Sequence, residues 1–117
     1  MEAIASKEVL LFKGKQEDMD PIKLDYSVLR KSVLILRAVN HSLRQKMIKI
    51  LEEEGRMTVT ELYVKMRLEQ SVASQHLALL RRAGVVITER DGKFIYYSLD
   101  KNRISEISNL LEDLVRK

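Results

Sequence analysis

The chain has 117 residues, 45% apolar and 32% charged, enough for one domain with a sizeable core. It carries 21 basic and 17 acidic residues, a net charge of +4, which suits an anionic partner without requiring one. Cysteine is absent and histidine occurs twice, which excludes disulfides, thiolate nucleophiles, thiol redox sensing and sulfur-ligated metals. No run approaches the roughly 20 apolar residues of a membrane helix. The opening MEAIASKEVLLFKGKQ lacks the ordered regions of a signal peptide, so a cytoplasmic location is expected.

Residues 1–23 show no sustained period and end at the single proline, Pro21, so they are read as an N-terminal arm before a folded domain at 24–117. FKGK at 12–15 lacks the spacing of a phosphate loop. From Leu24 a helix is predicted. Tyr26, Leu29, Val33 and Leu36 fall on one face, with Val28, Leu34, Ile35 and Val39 beside them, so this helix needs burial on more than one side. Asn40 or Ser42 caps a second helix with Leu43, Met47, Ile50 and Leu51 inward, stopping at Gly55. Glu52, Glu53 and Glu54 read as a solvated face. Thr58 and Glu61 make a T-x-x-E capping box that opens a short third helix.

The fourth helix is carried by QSVASQHLALLRRAG, residues 70–84, with Ser71 as its cap and Gly84 as its stop. Ala73, Leu77 and Leu80 form one apolar stripe, and Val72, Leu79 and Ala83 form its neighbour. The remaining face holds Ser71, Ser74, Gln75, Ala78 and Arg82, short and polar until two arginines close the helix. His76 lies beside the second stripe and reads as a packed, hydrogen-bonded histidine, and His41 as a turn residue. Residues 85–99, VVITERDGKFIYYSL, switch to β-branched and aromatic runs around Asp91-Gly92. That turn predicts a hairpin with Arg90 facing Lys93, and Tyr96 and Tyr97 packing its base. A last helix spans roughly 101–116.

The order α-α-α-α-β-β-α, mainly α with a β-hairpin, is that of a winged helix-turn-helix. A narrow polar helix face suits a DNA major groove, where Ser71, Ser74 and Gln75 can exchange hydrogen bonds with base edges. Arg81 and Arg82 at the helix end, and Arg90 and Lys93 on the wing, can hold the phosphate backbone. Which of Arg81 and Arg82 does so is left open. No Ser/His/Asp or paired-carboxylate constellation is present, so no enzyme activity is expected.

These segments resemble the ArsR/SmtB-type transcriptional repressors over about Leu36 to Leu99. LRAVNHSLRQKMIKILEEEGRMTVTELY is similar to the family's L-x-A-L-x-x-x-x-R-x-x-I-L-x-x-L…E-L opening. QSVASQHLALLRRAGVV resembles its Q-S-x-V-S-x-H-L-x-x-L-x-x-A-G-L-V segment, and DGKFIYYSL its G-R-x-x-x-Y-x-L wing. The resemblance implies a homodimer joined through the first and last helices and reading an inverted repeat in double-stranded DNA. It also implies metal sites that this chain departs from. Tyr63 and Lys65 stand where thiophilic-metal sensors carry cysteines, in ELYVKMR. Asp100, Asn102, Asp113 and Arg116 stand at the positions of the D-x-H-x10-H-x2-E/H site. No metal and no cofactor are expected, and no effector can be named.

Residues 69–99 hold 4 basic and 3 acidic residues, and this near-balance keeps a second reading open: a winged-helix module that binds protein without specific DNA binding. A third, a variant of the first, is a repressor answering to a small molecule or anion bound near the dimer seam.

Overall fold

A computed structural model describes residues 21–116, so most of the expected arm lies outside the described residues. The chain divides into two units after Ser32. Helix α1 is Tyr26–Val39. It starts two residues later than expected, because the Asp25 carboxylate accepts from the backbone N–H groups of Ser27 (3.0 Å) and Val28 (3.2 Å) and so caps it.

From Val33 onward, the end of α1 is followed by α2 (Ser42–Glu54), β1 (Arg56–Thr58), α3 (Val59–Met66), α4 (Gln70–Arg82), β2 (Val86–Asp91), β3 (Phe94–Leu99) and α5 (Lys101–Val115). The expected element order holds, with one addition. β1 pairs antiparallel with β3, giving a three-stranded sheet in the order β1-β3-β2. Three residues are too few to show a period, which is why this strand escapes a sequence reading.

The α2 cap is neither Asn40 nor Ser42. His41 takes the extended N-cap backbone, and its Nδ1 accepts from Leu43 N–H at 3.1 Å. The Thr58–Glu61 capping box is present with both reciprocal bonds. α3 ends at Arg67, a non-glycine residue in the left-handed region (φ +58°), whose N–H closes onto the carbonyls of the last turn. Residues 67–69 are thus the whole connection to α4. That helix begins at Gln70 with Glu69 at its N-cap and no side-chain cap, so Ser71 is a helical surface residue and does not cap. Gly84, at φ +79°, ends the run after Ala83, as its position in the sequence predicts.

The core sits where α2, α3, α4 and β2 converge: Met47, Leu51, Leu62, Leu77, Leu80, Val85 and Val86 are all at most 1% exposed. Ala73, Leu77 and Leu80 are the expected inner stripe of α4, so that helix has one rotational setting consistent with its packing. No helix among the described residues is long and apolar enough to cross a membrane.

Candidate nucleic-acid interface

Burying that stripe turns a wide arc of α4 outward. Gln70, Ser71, Ser74, Gln75, Ala78, Arg81 and Arg82 are all exposed. Helical spacing sorts them into two columns. Ser71 and Gln75, at i and i+4, form an outward column that Arg82, at i+11, ends at the edge of the cleft. Ser74, Ala78 and Arg81, at i, i+4 and i+7, lie toward the hairpin. Ser74, Ala78, Arg81 and Arg82 join Tyr97 of β3 to line an open cleft of about 470 Å³. Sequence reasoning assigned Tyr97 to packing alone. Gln70 was also overlooked, because placing the cap at Ser71 put it outside the helix.

The hairpin is shifted by one residue from the predicted register. Asp91 pairs with Phe94, so the two loop residues are Gly92 and Lys93, and Arg90 faces Ile95 instead of Lys93. Only Gly92 of the loop has a positive φ (+66°), the requirement of a type II′ turn with glycine first. Reading Asp91-Gly92 as the loop presumed a type I′ turn.

This register sorts charge across the sheet. Thr88, Arg90, Ile95 and Tyr97 share the face that meets the α4 cleft. Glu89, Asp91, Phe94 and Tyr96 share the other. There Arg56, from the unforeseen strand, donates to Asp91 at 3.0 Å, lies 3.5 Å from Glu89 and stacks 3.9 Å over the Tyr96 ring. The Asp91 hydrogen bond raises its pKa above the usual guanidinium value. Both wing acids therefore have a cation partner on the outer face. Arg81, Arg82, Arg90 and Lys93 make no ion pair among the described residues. Lys93 sits in the loop with its ammonium 5.5 Å from the ring centre of Phe94, so Arg81, Arg82 and Arg90 are left as the cations of the inner surface of a nearly neutral segment.

Behind α4 the two histidines come together, their ring centroids 5.1 Å apart. His76 is packed and hydrogen-bonded as expected, and its partner is Arg44, a buried arginine (8% exposed) that no sequence motif had singled out for this role. Arg44 Nη1 lies 3.0 Å from His76 Nδ1, Nε donates to the Ala38 carbonyl at 2.6 Å and Nη2 donates to the Arg37 carbonyl at 3.3 Å. A guanidinium only donates, so His76 Nδ1 must accept and its proton sits on Nε2. His41 Nδ1 likewise accepts, from Leu43 N–H. Neither neutral ring offers a free lone pair, so this pair is a poor metal site. Burial, then Arg44, then His41 hold the His76 pKa below its ordinary value.

The positions that resemble metal sites are otherwise engaged. Lys65 pairs with Glu54 at 3.2 Å and Tyr63 packs against the core. Asp100 caps α5 through Arg103 N–H at 3.1 Å, and Asp113 pairs with Arg116 at 3.1 Å. Among the described residues no cluster of three metal-type side chains forms.

Two helices joined by a three-residue turn, the second with a free polar face beside a hairpin, define a winged helix-turn-helix protein. Known proteins of this class narrow the assignment. Residues 41–88 match the model of the bacterial regulatory protein arsR family. The transcriptional repressor PagR of Bacillus anthracis is 30% identical over 92 residues, 79% of this chain and 92% of PagR. The transcriptional activator HlyU of Vibrio cholerae is 33% identical over 84 residues, 72% of this chain and 77% of HlyU. The crystal structure of NolR from Sinorhizobium fredii superposes with a TM-score of 0.65 at 31% identity, covering 83% of this chain and 97% of that one. The chain belongs to the arsR family, whose members are transcriptional regulators that bind double-stranded DNA.

Proposed function

We propose that this protein is a cytoplasmic, homodimeric transcriptional repressor that reads an inverted-repeat operator. The observation that carries the reading is the split of α4, with one face locked in the core and the other polar, exposed and set beside a cationic wing surface. Ser71 and Gln75 read base edges in the major groove. Arg81, Arg82, Arg90 and Lys93 hold phosphates. Dimerisation through α1 and α5 is supported by α5 having no buried residue while Leu110, Leu114 and Val115 are 63–74% exposed. Leu34 of α1, 64% exposed, belongs to the same reading. PagR and HlyU carry opposite regulatory signs by name; the repressor sign rests on the family resemblance and on PagR.

The test is fluorescence anisotropy on the upstream DNA of its own gene and on a scrambled duplex, at roughly 50 and 200 mM salt, a range over which six to ten phosphate contacts cost about 10³ to 10⁵ in affinity. Preference for its own DNA with steep salt dependence is expected. Arg90→Ala should weaken both duplexes alike and make the log–log salt slope shallower by about 0.9 for each phosphate no longer neutralised, roughly 2 for a dimer. A mutant that lost discrimination yet kept the slope would contradict the phosphate role.

A second reading, a protein-binding module, is favoured by Ile87 and Phe94, 47% and 49% exposed on the outer face of the wing. Equal, weak and salt-insensitive binding to both duplexes, with a protein partner co-purifying, would support it over the first.

A further inference from the structure

We infer that the cleft between α4 and the wing seats one backbone phosphate, and that Tyr97 and Ser74 hold it through their hydroxyls between Arg81 and Arg82. This inference rests on the DNA-binding reading and assigns residues within it. Ser74 thereby moves from reading a base to holding the backbone.

Three observations converge on the cleft. It is lined by two hydroxyl residues, two arginines and one alanine, with no carboxylate to repel an anion. Among the described residues neither hydroxyl, nor either guanidinium, has a hydrogen-bond or ion-pair partner, so all four groups are available. Tyr97 both packs against the core and lines the cleft, so its side chain is anchored on one side and borders the opening on the other. A ring serving only to fill the wing base would need no hydroxyl.

One effect opposes the assignment. The cleft borders the last turn of α4, where exposed carbonyls carry about half a negative charge. Two full positive charges on the same turn outweigh it. Small Ala78 between Ser74 and Arg82 leaves the room a phosphate needs. Position 88, opposite Tyr97 in the sheet, is a threonine, which keeps that wall of the wing short.

A hydroxyl donor displaces no counterion, and this gives the inference its own signature. Tyr97→Phe should lose roughly tenfold in affinity on the upstream duplex and on the scrambled one alike, with an unchanged salt slope. Arg82→Ala, by contrast, should make the slope shallower. Duplexes carrying a single neutral methylphosphonate then locate the contact: at one backbone position per half-site, neutralisation should weaken the wild type more than it weakens Tyr97→Phe, in which the arginines alone keep their share of the contact. Ser74→Ala covers the case in which Tyr97→Phe lowers the melting temperature. Alanine is the better helix former at that exposed position, so its equal loss on both duplexes would carry the inference and full retention would overturn it. Tyr97→Phe with intact stability and wild-type affinity overturns this inference alone, as does a loss confined to the upstream duplex. Wild-type protein that binds neither duplex overturns the DNA-binding reading, and this inference with it.

Discussion

Arg44→Met is expected to lower the unfolding free energy by roughly 2–4 kcal/mol, seen as a lower urea midpoint at unchanged m-value. The guanidinium ties α2 to the carbonyls that close α1 and to the ring of His76 on α4, at 2.6, 3.3 and 3.0 Å. Methionine fills much of the volume but leaves those acceptors without a donor. Arg44→Lys should rescue little, because one ammonium cannot span three diverging acceptors. The same contact predicts the pH response of the wild type. His76 has a folded-state pKa below its ordinary 6.5, chiefly from burial and next from Arg44. Below that value the unfolded chain takes up a proton that the folded chain refuses, so stability is full above pH 6.5 and falls as the solution is acidified through the folded-state pKa. Carboxylates change little down to about pH 5.5, so the first decline belongs to the imidazole. In Arg44→Met the decline should be shallower, since only one of the two main causes is left. A wild-type midpoint that stays flat from about pH 7 to 5.5 would sink this account.

Gln75→Ala is expected to remove most of the preference for the operator. A bidentate Gln–adenine pair discriminates by about 1–3 kcal/mol, and a dimer makes it twice, so the ratio of operator to scrambled affinity should drop by roughly thirtyfold or more. Binding to scrambled DNA and the salt slope should both stay as they are, because glutamine displaces no counterion. Stability should not fall, since Gln75 is exposed and alanine has the higher helix propensity. These expectations separate Gln75 from the arginines around it, whose removal acts on every sequence. A ratio left intact would show that the outward column of α4 does not read bases.

The helix faces were legible because burial follows a period. Ala73, Leu77 and Leu80 could be placed inward from spacing alone, and Thr58 with Glu61 announced a helix start by residue type. What escaped had no such trace. The main-chain acceptors of Arg44 lie on Ala38 and Arg37, and carbonyls are the same in every residue. Arg56 reaches Glu89 and Asp91 only because a three-residue strand crosses to β3. The hairpin was found from Asp-Gly, yet its register turned on which of two turn types the backbone adopts, a choice those two letters leave open. In the proposed site, the residues were visible as a polar face, but the division between an outward column and a wingward one needed Tyr97 in place.

The division of labour along α4 also bears on how such a regulator changes over generations. Ala73, Leu77 and Leu80 are held by the core, whereas Ser71 and Gln75 face solvent and share no packing with them. If Ser71 and Gln75 read bases as proposed, a duplicated gene can exchange one or two of the outward residues and acquire a new set of target promoters while its protein still folds. The cationic wing surface and the cleft would follow the copy unchanged, supplying general affinity for DNA during the transition. New wiring in a regulatory network then requires few substitutions and no compensating ones.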